Sequence, residues 1–169
     1  EQLDKLLDDA NNLGVMEAAA GNRNASEATL MRALSKHGLP TVQSAAAANE
    51  KAPDSFLHHV LDHPNIESDI RLAAAANQSA GSSVLHRALV DHDPRVRMFA
   101  AENPNATEEH LHKAMGDEDY RVRRAAVRND NVTKSVLQKG LNDPHERVRT
   151  SAENHPRYEE LIGPHDAKI

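Results

Sequence analysis

The 169-residue sequence has no cysteine and no tryptophan, and its only aromatic residues are Phe56, Phe99, Tyr120 and Tyr158. Without cysteine there is no disulfide framework, no thiolate zinc site, no iron–sulfur cluster and no cysteine nucleophile. So few rings leave no platform for stacking nucleic-acid bases. They also imply an interior of small side chains on closely approaching helices. No apolar run is long enough to cross a bilayer, so a soluble chain with no membrane partner is expected. The seven glycines are scattered, which leaves no glycine-rich phosphate loop. Nor is there a serine nucleophile motif or a pair of carboxylates in an apolar setting. The expectation is a protein that is not an enzyme and holds no cofactor. The absence of cysteine fits a reducing compartment, so the expected location is the cytoplasm. The chain begins at Glu1 rather than Met, so its natural start is expected upstream.

What the sequence does have is a repeat. In Arg95–Pro104, RVRMFAAENP, the residues Val96, Phe99, Ala100 and Asn103 fall at i, i+3, i+4 and i+7, one face of a helix. The apolar position recurs as Val15, Val42, Ile70, Val96, Val122 and Val148, at intervals of 27, 28, 26, 26 and 26. Four residues later the residue is always alanine: Ala19, Ala46, Ala74, Ala100, Ala126 and Ala152. A side chain so small at one fixed position predicts backbones in near contact. Seven residues after the apolar position stands Asn22, Asn49, Asn77, Asn103 or Asn129, expected to end the helix in a left-handed conformation, while Asn154 arrives one residue early. A period of this size predicts a stacked repeat.

Each copy also carries a preceding helix with Leu at i and apolar or small residues at i+3 and i+4. Examples are Leu3, Leu6 and Leu7, or Leu57, Val60 and Leu61, or Leu137, Gly140 and Leu141. Short polar residues mark its start, such as Ser26, Asp54, Ser82, Thr107 and Thr133; Glu108 and Glu109 add negative charge where the helix dipole favours it. An acidic turn follows, as at Asp91–Pro94 and Asp117–Asp119. The expected architecture is therefore all-α: about six two-helix repeats of ~26 residues in one solenoid domain over residues 1–162. Tyr158, Leu161 and Ile162 predict a closing helix, and residues 163–169 a frayed tail.

The run VRMFAAENPNATEEHLHKAMGDED, Val96–Asp119, resembles the bacterial leucine-rich repeat variant family, in which VR, a small pair, Asn-Pro, a polar helix start, Leu and an acidic turn recur. The resemblance extends from Leu3 to about Asn154 and is strongest over residues 70–154. Met16 and Gln43 depart from it by replacing the arginine. The family implies a right-handed superhelical solenoid and no shared catalytic residues; its members are best regarded as interaction scaffolds. The period of 26 is slightly longer than the family's usual unit, which implies fully α-helical second helices, as in HEAT-like repeats.

Three columns are candidates for function. Arg71, Arg97, Arg123 and Arg149 stack at the repeat spacing, a ladder of guanidinium groups suited to carboxylates or phosphates. Asp91, Asp117 and Asp143 stand six residues before Arg97, Arg123 and Arg149, which favours a salt-bridge ladder between units over an open site. Arg32, His59, Arg87, Lys113 and Lys139 form a second column, either a stripe for an acidic partner or a solvated helix face. Arg121, Arg124 and Arg128 thicken the positive charge of the fifth copy, the expected contact patch. Asn77, Asn103 and Asn129 are expected to form an interior hydrogen-bonded ladder.

Charge is uneven. Residues 1–94 carry 7 basic and 13 acidic side chains, whereas residues 95–157 carry 12 and 10. A net of +2 in the second stretch is far from the footprint of a dedicated nucleic-acid domain. Of the 11 histidines, His58, His86 and His112 share a column and His59 and His63 lie four apart. Column neighbours sit about a helix diameter apart, too far to share one ion, and Pro64 disfavours helix at His63. Solvent-facing histidines and no metal site are expected. The function expected is binding of a protein partner through an extended face. The alternative is a module that follows a nucleic-acid backbone, and a metal-dependent enzyme is the remote third.

Overall fold

The computed structural model describes residues 2–8, 12–36, 39–63 and 65–164, and among them are thirteen helices and no strand. In chain order they are α1 (Gln2–Leu6), α2 (Leu13–Ala20), α3 (Glu27–Leu34), α4 (Pro40–Ala47), α5 (Asp54–Asp62), α6 (Ser68–Ala76) and α7 (Ser82–Ala88). Then follow α8 (Pro94–Glu102), α9 (Glu108–Ala114), α10 (Tyr120–Arg128), α11 (Lys134–Leu141), α12 (Glu146–Glu153) and α13 (Tyr158–Leu161). None exceeds nine residues, a length that is marginal for an isolated helix in water, so each is held by its neighbours. Every substantial contact joins helices one or two places apart in the chain. The even-numbered helices from α2 to α12 pack each on the next, and each odd-numbered helix from α1 to α11 packs on the even helix that follows it.

Local chemistry sets the helix starts. Pro40 and Pro94 sit at the first helical position, where a missing N–H costs nothing. Asp93 and Asp119 cap α8 and α10 by accepting from the Arg95 and Arg121 N–H groups. Thr107 closes a capping box with His110 on α9. Asp54 and Ser82, expected as caps, are instead the first helical residues, after Pro53 and Gly81. Asp54 does cap, but across helices: its Oδ1 accepts from the Gly81 N–H at 3.0 Å, and a Cβ on Gly81 would fall 2.2 Å from Asp54 Oδ2.

The alanine column from Ala19 to Ala152 is buried throughout, at no more than 1% exposure. A second small column lies beside it at Ala20, Ala47, Ala75, Ala101 and Val127. Leu30, Leu57, Leu85, Leu111 and Leu137 fill the odd-numbered helices at 0%. The residue before each of these is also buried, Thr29, Phe56, Val84, His110 and Val136. Three expectations fail. Leu6 is 42% exposed and Val15 only half-buried, with Leu7 and Met16 taking the interior of the first pair. Phe99 is half-buried on the outer side of α8, because Arg97, Ala100 and Ala101 fill the inner side with Val96. Among the described residues α13 is the last helix, after which Gly163 adopts φ +112°; residues 165–169 of the expected frayed tail lie outside the described residues.

Candidate functional site: two side-chain ladders and an outer face

The asparagines tie each helix pair to the one before. Asn49 Nδ2 donates to the Ala20 and Asn22 carbonyls at 2.7 and 2.9 Å. Asn77 donates likewise to Ala47 and Asn49, Asn103 to Ala75 and Asn77, and Asn129 to Ala101 and Asn103, all between 2.8 and 3.0 Å. Each Oδ1 accepts from the N–H two residues on, as Asn103 does from Asn105 at 2.9 Å. These residues end the helices in extended conformation, with φ near −60° and ψ of 125–136° at Asn77, Asn103 and Asn129. The left-handed conformation expected for them does not occur, since among the described residues no non-glycine has positive φ. An extended backbone swings the amide across to the neighbouring turn, which a left-handed one would not do.

In the last pair the register differs from expectation. Asn154 turns back to the Thr150 carbonyl of its own helix, and His155 takes the ladder position, its Nδ1 accepting from the Arg157 N–H at 3.1 Å. His155 is buried, and its Nε2, near the Asn129 backbone, has no partner within ordinary hydrogen-bond geometry. Burial, with Arg157 adding to it, lowers its pKa.

The arginine column pairs forward rather than with the aspartate six residues behind. Arg71 grips Asp91 through Nε and Nη2 at 2.8 and 3.2 Å, Arg97 grips Asp117 at 2.7 and 2.9 Å, and Arg123 grips Asp143 at 2.7 and 3.0 Å. The aspartate behind contributes only its backbone: Arg97 Nη1 donates to the Asp91 carbonyl, and Arg123 Nη1 to that of Asp117, both at 2.9 Å. The Asp117 partner holds the Arg97 guanidinium protonated above its usual range, and Asp143 does the same for Arg123. Burial pushes Asp143 up, but the Arg123 guanidinium and the His145 N–H bring it below the usual carboxylate value. In Arg71, Arg97 and Arg123 the Nε–Nη2 edge is held by a carboxylate and Nη1 by a backbone carbonyl, so none presents a free bidentate edge to a phosphate.

The rungs stop at both ends. Arg149 Nη1 reaches the Asp143 and Pro144 carbonyls, and no carboxylate among the described residues meets its fork. Towards the other end, Gln43 stands where Arg71 stands one pair later, and His63, 20 residues on, stands where the aspartate would. Gln43 Nε2 donates to Leu34 O at 2.6 Å, and a cleft of about 370 Å³ opens there, lined by Met31, Leu34, His59, His63, Ile66 and Ile70 among others.

The remaining candidate cations divide. Arg32 pairs with Asp8 at 2.7 Å, and Arg87 with Asp62 at 2.5 Å and the Leu61 carbonyl. Arg121 folds back on Asp119 at 2.6 Å, and Lys139 Nζ lies 3.0 Å from His112 Nδ1. Lys113, Arg124 and Arg128 have no carboxylate partner among the described residues; Arg124 donates only to Ser151 Oγ, at 3.0 Å. The expected patch around Arg121, Arg124 and Arg128 thus keeps two of its three cations unpaired.

The histidines are not all solvent-facing. His58, His86 and His112 each reach a polar side chain about one period on, Ser83, Glu109 and Ser135, at 2.7–3.1 Å. His110 is fully buried, in a column that otherwise holds Thr29, Phe56, Val84 and Val136. Its Nδ1 accepts from the Thr107 N–H at 2.9 Å, so the proton sits on Nε2 and goes to the Ser82 carbonyl at 3.0 Å, and burial lowers its pKa. That column could have been found in the sequence as the residue before each core leucine. Among the described residues no three His, Asp or Glu side chains converge as a metal site, and no helix is long and apolar enough to cross a membrane. The chain matches no protein-family model, and no curated protein matches it.

Proposed function

We propose that residues 1–162 form a right-handed α-solenoid, one domain of about six two-helix units of the leucine-rich repeat variant or HEAT-like kind, acting as a non-enzymatic scaffold that binds a protein partner. The observation that supports this reading most is the pair of buried ladders: the asparagines and the Arg–Asp rungs link one helix pair to the next and leave the outer side of the even-numbered helices uninvolved. A nucleic-acid backbone binder is the weaker reading, because Arg87, Arg97, Arg121, Arg123 and Lys139 are engaged within the protein.

Salt and nuclease separate the two readings. Protein captured from native lysate, unaffected by nuclease and lost on Arg124→Glu with Arg128→Glu, is the expected result. Tight binding to generic DNA or RNA at low salt that falls steeply as salt rises would overturn it.

A further inference from the structure

On α6, α8, α10 and α12 the positions two and six residues after the buried Val or Ile are half-buried or exposed, and so is the position after three on α6, α8 and α12, whereas Ala125 there on α10 is buried. They change character along the chain. On α6 and α8 they are Leu72 and Ala73, then Met98 and Phe99, all half-buried against the core on one side. On α10 the same positions bring Arg124 and Arg128, four residues apart on one helix face. Arg124 and Arg128 line a depression of about 410 Å³ with Thr150, Ser151 and Asn154 from α12 and its C-cap. Asp130 also borders it but forms no ion pair with either arginine among the described residues. An apolar patch and a pair of uncompensated guanidinium groups therefore lie on neighbouring helices of one face.

We infer that this face docks an acidic, partly apolar segment of a partner protein, its apolar side chains on Leu72, Met98 and Phe99 and its carboxylates on Arg124 and Arg128. The inference rests on the scaffold reading above and names the class of partner. Neighbouring helices are about 9 Å apart. A partner segment therefore needs its carboxylates about three residues from its apolar group if extended, or about six if helical. Planar guanidinium groups match carboxylates bidentately, and the Thr150 hydroxyl beside them supplies a further donor, while Ser151, which donates to the Arg147 carbonyl, holds Arg124 in place. A phosphate backbone fits the same face poorly. Its charge would run on across the apolar patch and past the exposed Glu102, which occupies on α8 the position of Arg128 on α10.

The probe is a fluorescein-labelled 14-residue peptide with Leu and Phe in one half and four Glu in the other, titrated with the full chain by anisotropy. Saturable binding is expected, weakened about tenfold or more by Arg124→Glu with Arg128→Glu, by Phe99→Ala, and by replacing the peptide's Glu with Gln. Arg128→Ala is the second variant should the double one fold poorly, since Arg128 is exposed and its guanidinium makes no hydrogen bond or ion pair among the described residues. No binding, or binding indifferent to these changes, overturns the proposed face. Equal binding when Ser replaces the peptide's Leu and Phe also overturns it, since charge alone would then suffice. Were the peptide to fail while protein capture from lysate persisted, the face would be wrong and the scaffold reading would stand. Capture abolished by nuclease would remove both.

Discussion

Arg97→Gln is the substitution that tests the rungs most directly. The Asp117 carboxylate is 9% exposed and receives two bonds from Arg97, at 2.7 and 2.9 Å, besides one backbone N–H from Asp119. Removing the guanidinium leaves that carboxylate buried with one donor and strips the Asp91 carbonyl of the Nη1 bond at 2.9 Å. Breaking a buried pair from one side costs about 3–5 kcal/mol, far more than the pair contributes relative to a well-packed apolar replacement. For a chain of this size each kcal/mol lowers Tm by roughly 2–4 °C, so the expected fall is about 6–20 °C by circular dichroism or calorimetry. Arg97→Met with Asp117→Leu removes both charges together and is expected to recover much of the loss, giving a coupling of about 0.5–3 kcal/mol in the double-mutant cycle. Arg95→Gln is the control. Its pairs with Asp69 and Asp93 are half exposed at the arginine, and an exposed pair contributes about 0–1 kcal/mol. A melt for Arg97→Gln no lower than for Arg95→Gln would refute the reasoning, because it would mean the rung carries no buried charge.

Gly140→Ala is expected to destabilise: the new Cβ would sit 2.7 Å from Val127 Cγ2 and 3.1 Å from Ala152 Cβ. Overpacking of this kind costs about 1–3 kcal/mol, which outweighs the ~1 kcal/mol gain in helix propensity, and a raised urea midpoint would count against it. Stability is expected to fall with acid in the window below about pH 6.5, because burial holds the folded pKa values of His110 and His155 below their unfolded ones. The unfolded chain then binds the extra protons, so stability present above the unfolded pKa is lost as pH drops through that window. The charged groups around His155 are Arg157 and Asp130, of opposite sign, so burial decides the direction. His155→Asn is expected to flatten the profile and raise Tm at pH 5.5, since its amide can donate where Nε2 now has no partner. A profile that keeps its full slope in this variant would acquit His155. At lower pH a second loss is expected between about 4 and 2: Arg95 and its N–H hold the Asp93 carboxyl at about 2, and stability present above the unfolded value vanishes as Asp93 protonates. Asp93→Asn, followed by the acid arm of the melt, checks this.

The periodic small residues made the helix order legible, because alanine at a fixed spacing has few explanations other than close helix contact. The asparagine and arginine columns were legible for the same reason. Their partners were not. Sequence spacing placed Asp91 six residues before Arg97 and so suggested it as the counter-ion, but six residues span the turn into α8, where only the backbone carbonyl comes within reach of Nη1. The guanidinium fork points to the next helix pair, a direction fixed by packing and invisible in spacing. Phe99 misled for a related reason. The i, i+3, i+4 pattern assigns it to the inner face, yet a helix wedged between neighbours on either side buries Val96, Arg97, Ala100 and Ala101, and turns Phe99 outward. His155 was hidden because a one-residue slip let Asn154 stand in for it.

The division of labour between buried and exposed positions bears on which side chains are free to vary. Orientation of one helix pair on the next is fixed by interior side chains: a two-donor amide between turns, and a bidentate rung in three successive pairs. Alanine contacts alone would allow sliding, since dispersion has no direction, whereas a rung or an amide shifted by an ångström loses its bonds. With the geometry set from within, the outward positions take no part in the two ladders. They run from Ser44 through Leu72 and Met98 to Arg124 and Thr150, a sequence of side chains with no common packing requirement. A surface of that kind can change its chemistry helix by helix without disturbing the frame. The unpaired arginines beside an apolar patch are accordingly more informative about binding than the more numerous, and internally satisfied, cations of the ladder.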